Sequence, residues 1–464
     1  MSMTCKNNAK KNNFIYKAIE ECVPQNHLVR KLESSLDFNF IYPLVKPYYS
    51  SVGRASIDPV VLFKMIFINI VFGLNSMRKT TQEIEVNLAY RWFLGMDMDD
   101  KVPHYSTWSQ NYLRRYQDSE VFNEIFEEIL NQCIQKEFID FESVFGDSTH
   151  QKANANKNKG INVEVELIKK KYDNDLLDEI NQDRLAHGKK AFDSLKTRQT
   201  KVDEFTGEVV LKKQVKQTKQ SPVDPESGVF HKGEKEKCYA YSHQTFCDKN
   251  GYVLVSETVP GNVHDNQSFF TAYEILQKKF PTQIENICLD AGYYTPAICR
   301  EIMLNNHTPY LPYLRPKTKK GFFKKYDYVY DEEYDCYLCP SDKIIKYSTT
   351  NREGYRIYVS DPQDCLKCPL RKQCTESKNH QKIIARHVWE HYKEEANHIR
   401  HTDKWKEVYP IRKQSIERVF ADGKEKHGLR YTRLKGLKKN QHQILMIFGC
   451  HNLKKMALFE AKRA

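Results

Sequence analysis

The stretch FESVFGD, residues 141–147, decides the predicted fold of this chain. Its apolar residues predict a buried strand that ends on the carboxylate of Asp147. A second stretch, IENICLD at residues 284–290, has the same form and ends on Asp290. Functional groups gather at strand ends in α/β sheets, because the loops diverge there and a ligand can approach. The sequence therefore predicts a mixed α/β sheet that brings two aspartates together.

Two neighbouring aspartates repel each other unless a cation or a proton lies between them. Mg²⁺ suits such a place, since it binds carboxylate oxygens and shares its coordination shell with phosphate. Two such ions about 4 Å apart can activate an attacking oxygen and stabilise a leaving one in a phosphodiester. The alternative is that Asp147 and Asp290 only cap turns or helices, as aspartates often do.

Around these strands, the pattern of helices, strands and charge divides the chain into five segments. Residues 1–30 are a polar lead-in that we expect to be flexible, and residues 31–135 are a helical, DNA-binding domain. Residues 136–314 form the first part of the catalytic core, with a charged helical insertion at about 163–222. A basic, cysteine-rich insertion follows at 315–385, and residues 386–464 are C-terminal helices of the core.

The chain has a strong positive charge. Its 464 residues carry 73 Lys and Arg against 60 Asp and Glu, a formal net charge of +13. This surplus favours a polyanionic partner, although charge alone does not distinguish DNA, RNA and an anionic membrane. The apolar run at 60–74 is interrupted by Lys64 and is shorter than a bilayer needs, so we expect a buried helix that begins after Asp58. With 13 cysteines and no signal segment, the sequence predicts a cytoplasmic protein with reduced thiols.

A third acid, Glu417, lies in the helix-forming stretch IERVFADGKEK. Lys413 and Lys424 stand four residues before and seven residues after it, so the three share roughly one helix face. A solvated ladder of salt bridges is the ordinary interpretation of such a face. The other is a metal-binding acid with lysines that contact phosphate.

Three blocks together resemble the catalytic blocks of DDE transposases: FGDSTHQKANANK at Asp147, ICLDAGYYTP at Asp290, and IERVFADGKEKHGLRYTRLKG at Glu417. Among these the chain is most similar to the eleven-eighty-two group of bacterial insertion sequences, from about residue 58 to 453. The resemblance implies an RNase H-like mixed sheet flanked by helices, with Asp147, Asp290 and Glu417 as ligands of two Mg²⁺ (or Mn²⁺) ions. It also implies cleavage at the ends of a mobile element, transfer of the 3′-hydroxyl end into target DNA, and a homo-oligomeric active complex near the nucleoid.

The resemblance also extends to basic residues around Glu417. The expected contacts with DNA phosphates are Lys413, Lys424, Lys426, Arg430 and Arg433. His264 and Asp265, in the GNVHD segment, rank second, because such a pair is more often a turn or cap. Arg412 also ranks second: Tyr409 and Arg412 lie one residue further from Glu417 than in related transposases, which puts Lys413 in the arginine position.

Cysteine pairs in the insertion have the spacing of a zinc ribbon. The candidate zinc ligands are Cys336, Cys339, Cys365, Cys368 and Cys374. A tetrahedral site takes four, so either Cys336 or Cys374 is spare. The alternative is a set of free thiols in a small insertion.

Two other functions fit parts of the sequence. One is an RNase H-like nuclease that cuts DNA without strand transfer. The other is an inactive, domesticated DNA-binding protein that keeps the zinc ribbon. The best candidate for a DNA-reading element is a helix that begins at Ser106, although a plain helical bundle or a dimer contact fits that region equally well.

Overall fold

The computed structural model describes residues 17–50, 52–53, 56–74, 76–166, 171–195, 200–202, 209–211, 215–232 and 236–463. The chain forms two compact units. The helical unit contains Met1–Ile139, Val419–Tyr431 and Lys438–Ala464. The sheet unit contains Asp140–Arg418 and Thr432–Leu437.

In the described residues the α-helices are, in chain order, α1 (Ile19–Cys22), α2 (Leu28–Ser35), α3 (Ile41–Val45), α4 (Pro59–Val71), α5 (Met77–Val86), α6 (Leu88–Leu94), α7 (Tyr105–Asn111), α8 (Val121–Gln135), α9 (Asp173–Ala186), α10 (Asp265–Lys279), α11 (Pro296–Leu304), α12 (Pro362–Leu366), α13 (Arg371–Cys374), α14 (Glu390–Ile399), α15 (Asp403–Val408), α16 (Ile416–Lys426) and α17 (Leu437–Arg463). The strands are β1 (Ser143–Lys152), β2 (Ile161–Glu166), β3 (Thr200–Val202), β4 (Val209–Leu211), β5 (Val215–Gln220), β6 (Gly228–Lys232), β7 (Glu236–Asp248), β8 (Val253–Pro260), β9 (Asn286–Cys288), β10 (Thr308–Tyr310), β11 (Val329–Asp331), β12 (Cys336–Leu338), β13 (Ile344–Thr350), β14 (Tyr355–Ser360) and β15 (Ile383–His387).

Helix α4 forms the core of the helical unit, and its prediction is confirmed. The Asp58 side chain accepts a hydrogen bond from Val60 N at 2.7 Å, and Pro59 occupies the first turn. Lys64 is buried in this helix with its Nζ 2.7 Å from a carboxylate oxygen of Glu33. The same Nζ lies 4.7 Å from the ring centre of Phe38. The lysine is tolerated there because its charge is paired and lies over an aromatic face.

Two predicted helices begin or divide differently in the structure. The helix expected from about residue 80 to 94 is two helices, α5 and α6, because Asn87 leaves the helix and its side chain caps α6 at Ala89 N. The helix expected to begin at Ser106 begins at Tyr105. His104 precedes it, and its ring Nδ1 accepts from Ser106 N at 3.4 Å.

The last helix, α17, belongs to the helical unit, whereas the sequence placed all of 386–464 with the catalytic core. The physical reason is its apolar surface, which packs on α8. The ring of His442 stacks on Phe122 at 4.4 Å, and the Met456 sulfur lies 3.7 Å from the Cys133 sulfur. Despite the length of α17, no helix in the described ranges has an apolar stretch long enough to cross a membrane.

The main sheet of the sheet unit is organised around β1. Strand β7 pairs with one edge of β1 antiparallel, and β9 pairs with the other edge parallel. Strand β10 continues the sheet parallel to β9. On its far edge β7 pairs antiparallel with β8 and, further along, with β6. The predicted turn at 249–251 joins β7 to β8, with Gly251 at φ +80°. This mixed sheet with helices confirms the α/β class.

The sequence predicted a charged helical insertion at about 163–222, but this segment is only partly helical. It contains α9, but also the antiparallel pairs β2–β5 and β3–β4. Along β2, glutamates alternate with valines, which is a strand period and not a helical one. Residues 167–170, 196–199, 203–208 and 212–214 of this segment lie outside the described residues, as do residues 1–16 of the lead-in. The lead-in at 1–30, which was expected to be flexible, contains helix α1 and the beginning of α2.

The cysteine-rich segment contains a five-stranded antiparallel sheet with the order β11-β12-β13-β14-β15. Its core consists of Tyr328, Tyr337, Ile345, Tyr358 and Ile384, all buried. Aromatic rings dominate this core, so the small sheet has its own apolar interior and gives the cysteines a rigid base.

Candidate active site

The strand register brings Asp147 and Asp290 to neighbouring positions. Phe145 of β1 pairs with Cys288 of β9 in a parallel ladder, and each aspartate follows two residues later. However, β1 does not end at Asp147, as predicted, but continues to Lys152. The reason is that β7 goes on pairing with β1, with Asp147 opposite Thr245, after β9 has turned away. Asp147 therefore lies beside the end of its parallel neighbour, β9, and not at the end of its own strand.

Gly146 leaves no room for a side chain beside Asp147. A Cβ at this position would lie 2.5 Å from a ring carbon of Phe246 and 2.7 Å from Leu289 Cδ2. Since real Cβ atoms do not approach that closely, glycine lets the apolar core close under the carboxylate.

Asp290 also caps the short 3₁₀ helix Ala291–Tyr293. Its Oδ1 accepts a hydrogen bond from Gly292 N at 2.8 Å. The capping role considered as an alternative is thus present, and it fixes the Asp290 carboxylate at the end of β9.

Glu417 reaches the site from the first turn of α16. Between it and Asp147 lies Arg412, from the 3₁₀ helix Tyr409–Lys413, and this residue is only 8 % exposed. Arg412 Nη1 donates to Glu417 Oε1 at 3.2 Å, and Nη2 donates to Asp147 Oδ2. One buried guanidinium therefore joins two of the three predicted acids. Asp147, Asp290, Glu417 and Arg412 are called the acid cluster below.

The position facing the acids is taken by Arg412 and not by Lys413, although the spacing favoured Lys413. Lys413 is exposed, while Arg412 is buried among the carboxylates. The segment before α16 is a 3₁₀ helix, not a continuation of the α-helix, so counting in α-helical steps from Glu417 misplaces both residues.

The acid cluster is electrostatically perturbed. Burial raises the pKa of Asp147 to about 6, with a further increase from the charge of Asp290 and an opposing effect from Arg412. Burial alone would lower the pKa of Arg412, but the charges of Asp147, Tyr409, Asp290 and Glu417 outweigh it and raise that pKa. Burial, with Asp290 and Glu417 nearby, raises the pKa of Tyr409 to about 12. The site is thus acidic overall and holds a positive charge at its centre.

A second set of polar residues borders the acid cluster, and the sequence identified only one of them. Ser148 Oγ donates to Asp265 Oδ1 at 2.6 Å, which puts Asp265 beside Asp147. Tyr293, fully buried, donates its hydroxyl to Gln244 Oε1 at 2.8 Å, and Gln244 pairs with Ser148 across the strands. His264 is exposed and makes no side-chain cap on α10. In the sequence, this set is indicated only by the position of Ser148 directly after Asp147 and of Tyr293 shortly after Asp290.

The basic residues expected to contact DNA lie on α16 and after it. Lys426 is ion-paired with Asp422 at 2.8 Å, and Arg430 with Glu425. Lys424 is half-buried and Arg433 is exposed. Lys413 and Arg433 belong to the sheet unit, and Lys424, Lys426 and Arg430 to the helical unit. Their contact with DNA stays a prediction.

The candidate zinc ligands lie in and around the five-stranded sheet. Cys336 lies in β12 and Cys339 follows it, Cys365 lies in α12, and Cys374 ends α13, with Cys368 between these two helices. Among the residues that the structure describes, no three His, Cys, Asp or Glu side chains are gathered closely enough to form a ready-made metal site. This holds for the cysteines and also for the acid cluster, where Arg412 lies between two of the acids.

Two protein-family models match the chain. One, described as a transposase domain (DUF772), matches residues 17–114. The other, described as a transposase DDE domain, matches residues 338–457 and so includes Glu417 and Arg412. Asp147 and Asp290 lie outside both matches. No curated protein and no solved structure matches the chain.

Both matches are to transposase domains, one at each end of the chain, and proteins with such domains process DNA. They agree with the acidic blocks identified from the sequence. The resemblance to DDE transposases is confirmed in these two regions of the chain.

Proposed function

We propose that this chain is an insertion-sequence transposase that binds the ends of its element, cleaves them by metal-dependent phosphodiester hydrolysis and joins the 3′-hydroxyl ends to target DNA. Asp147, Asp290 and Glu417 are the catalytic acids. The single observation that carries the proposal is the bridge from Arg412 to both Asp147 and Glu417.

This bridge indicates where a cation binds. Carboxylates from β1 and α16 share one positive charge, and Asp290 acts on the same arginine electrostatically. All the anionic groups here are carboxylates, whose oxygens are the donors that Mg²⁺ prefers. The residues therefore fit Mg²⁺, and Arg412 offsets the repulsion between the acids when no ion is bound.

The chain's own residues have distinct tasks in this proposal. Bound Mg²⁺ would supply activation of the attacking oxygen and stabilisation of the leaving oxygen. Asp147 is held by β1 and by Ser148 N, which donates to its Oδ1 at 2.8 Å, so its carboxylate has a fixed orientation. Arg412 holds the carboxylates of Asp147 and Glu417 together, and its guanidinium would suit a phosphate oxygen if a cation took over the acids. Asp265 fixes the Ser148 hydroxyl at the border of the site.

The strand arrangement supports an RNase H-like core. Three antiparallel strands, β1, β7 and β8, are followed by two parallel ones, β9 and β10, added on the other side of β1. In that fold the first acid lies on the central strand and the second on its parallel neighbour, as Asp147 and Asp290 do here.

The proposed partner is double-stranded DNA, both element ends and target. The net charge of +13 and the basic residues on and after α16 support it, because each lysine or arginine placed near a phosphate releases a condensed counterion. A homo-oligomer at the nucleoid, in the cytoplasm, is part of the proposal, as is a structural zinc ion in the cysteine-rich segment.

The proposal is tested with purified protein, Mg²⁺, DNA that carries the terminal inverted repeats flanking the gene, and a target plasmid. We expect cleaved ends and joined products. Cut ends without joining favour the nuclease function, and binding without cutting favours the inactive DNA-binding protein.

Variants assign the chemistry to the acid cluster. Asp147→Asn, Asp290→Asn and Glu417→Gln are expected to bind end DNA like the parent while cleavage falls by on the order of a thousandfold or more. Asp403→Asn is the matched control, since Asp403 is an exposed acid in the first turn of α15. Parental cleavage by Asp147→Asn or Glu417→Gln would remove the catalytic assignment.

A further inference from the structure

Four of the five candidate zinc ligands line one small cavity beside the five-stranded sheet. The cavity has a volume of about 30 Å³, and Cys339, Cys365, Cys368 and Cys374 all contribute to its wall. Cys339 comes from the turn after β12, and the other three come from the segment of α12 and α13. Cys336 is not among the lining residues. The four lining residues are called the cysteine cluster below.

Each sulfur of the cysteine cluster has its own polar neighbour. Cys339 Sγ accepts a hydrogen bond from Lys343 N at 3.4 Å, and Cys374 Sγ lies 3.2 Å from the Tyr328 hydroxyl. Cys365 Sγ lies 3.1 Å from Ser360 Oγ, and Cys368 Sγ lies 3.3 Å from Ser341 Oγ. Hydroxyl and amide donors of this kind stabilise thiolates, and metal ligands are commonly oriented by such outer contacts.

The backbone around two of the cysteines forms tight turns. Asp342 N donates to Cys339 O at 2.8 Å, with Asp342 in the left-handed region at φ +53°. Cys368 N donates to Cys365 O at 3.3 Å, so this pair shares one turn. Tight turns with backbone donors near sulfur are typical of the segments that supply cysteine ligands to zinc, and binding of the ion would draw the four thiols together.

The lining of the cavity carries a small surplus of positive charge. Three cations, Lys343, Arg371 and Lys382, line it together with two carboxylates, Asp361 and Asp364. Zinc bound by four thiolates carries a net charge of about −2, which this surplus of one positive charge offsets in part.

The surroundings of Cys336 are different. It is buried within β12, where it pairs with Lys346 of β13 on one side. On the other side it pairs with Asp331 of β11, and Asp335 precedes it in sequence. Two carboxylates near a sulfur oppose a thiolate. Residues 336–338 are extended, so Cys336 and Cys339 do not share a turn of the kind that joins Cys365 and Cys368.

We propose that Cys339, Cys365, Cys368 and Cys374 bind one Zn²⁺, and that Cys336 is not a ligand. The inference rests on the zinc part of the proposed function and selects its ligands. Binding exchanges the four thiol protons for the metal, with the protons released to solvent. The ion would tie the β12–β13 turn to the α12–α13 segment, so its role is structural.

The test is the metal content of the full-length protein and its cysteine variants. We expect one zinc per chain in the parent and in Cys336→Ser, and loss of that zinc in Cys339→Ser and Cys368→Ser. Absence of zinc from the parent refutes zinc binding altogether. Loss of zinc from Cys336→Ser with retention in one of the four others refutes the ligand set but not zinc binding.

A second measurement covers variants that fold poorly. Exchange of the bound metal for Co²⁺ gives absorption bands that report the number of thiolates. Cys374→His, which keeps a ligand at that position, is expected to retain the metal with a weaker sulfur-to-cobalt charge-transfer band. A spectrum identical to that of the parent shows that Cys374 is not a ligand. Both measurements are made without DNA, and Asp147→Asn is expected to give parental values, so their outcome is independent of transposition.

Discussion

The acid cluster and the cysteine cluster both lie in the sheet unit, but their side chains come together in different ways. In the acid cluster, Arg412 and Asp147 are 265 residues apart in sequence, and they meet because the main sheet is complete. In the cysteine cluster, Ser341 and Cys368 are only 27 residues apart, and the contacts form within one small sheet and its connections. A second difference is charge: a buried guanidinium lies between the carboxylates of the acid cluster, while the cysteine cluster has cations and carboxylates only around it.

These differences indicate different tasks. A site assembled from distant strands depends on the whole fold and can release its ion, since Arg412 stabilises the acids without it. A site assembled locally from thiols holds its metal as part of the structure. The acid cluster is therefore expected to control activity and the cysteine cluster stability, and the following predictions test that separation.

The largest expected effect is on activity when Mg²⁺ is omitted. Cleavage should fall by on the order of a thousandfold or more, because neither the attacking nor the leaving oxygen is stabilised. The thermal unfolding midpoint should fall only slightly, because loss of Mg²⁺ binding to the folded state costs about 1 kcal/mol at a concentration a few times the dissociation constant. Zinc bound by thiolates does not leave in magnesium-free buffer. Measurement of both quantities on one preparation tests the separation; a drop in the midpoint as large as that caused by removal of zinc contradicts it.

Arg412→Gln should destabilise the metal-free protein by about 2 kcal/mol. Breaking a buried charge pair costs about 3–5 kcal/mol, and we reduce this because Glu417 is half exposed. Added Mg²⁺ should recover part of the loss, since it replaces the guanidinium between the carboxylates. Urea unfolding with and without Mg²⁺ measures both the destabilisation and its recovery.

Lys413→Gln is the matched control for Arg412→Gln, because Lys413 is the exposed neighbour in the same 3₁₀ helix. It should leave stability unchanged within about 0.5 kcal/mol. Equal destabilisation by the two variants would show that the contacts of Arg412 with Asp147 and Glu417 make no specific contribution to the free energy of unfolding.

Gly146→Ala should cost about 1–3 kcal/mol of stability, because the new methyl group overlaps Phe246 and Leu289 in the main sheet. Gly449→Ala, in the middle of α17, is the control. Its Cβ would lie 3.4 Å from Ile129 Cδ1 and 3.8 Å from Phe126 Cδ2, both ordinary contacts, so it should be neutral or stabilising by up to about 1 kcal/mol. Chemical unfolding distinguishes the two signs, and zinc content should not change in either variant.

The smallest expected effect is on the pH profile of cleavage. Burial raises the pKa of Asp147 to about 6, so its carboxylate is ionised above that pH and protonated below it. Cleavage at low Mg²⁺ should therefore decline about tenfold per pH unit below about 6. Higher Mg²⁺ should move the decline to lower pH because the cation competes with the proton. A flat profile between pH 5 and 7 contradicts this assignment.

Part of this arrangement could be predicted from sequence. Asp147 and Asp290 each follow a short apolar run, and that pattern was enough to predict that both lie in one sheet. Helix α4 could be predicted because Asp58 and Pro59 mark its beginning. These features are local, so their physical causes lie within a few residues of one another.

Other features depend on tertiary packing and escaped prediction. Arg412 faces the acids where Lys413 was expected, because the segment before Glu417 is a 3₁₀ helix, which has fewer residues per turn than an α-helix. The continuation of β1 past Asp147 depends on β7, a strand nearly a hundred residues later. Cys336 and Cys339 have the same spacing in sequence as Cys365 and Cys368, and only the extended backbone of β12 distinguishes the first pair. Nothing in the sequence of α17 identifies α8 as the helix against which it packs.

The composition of the helical unit has a consequence for the order of events during synthesis. This unit needs residues 437–463, which leave the ribosome only after the whole sheet unit has been made. Until then, the apolar faces of α4 and α8 lack their final cover. A newly made chain thus completes its helical unit last, so a truncated product that ends before α17 is expected to be recognised by chaperones and proteases and never to reach DNA in a competent form.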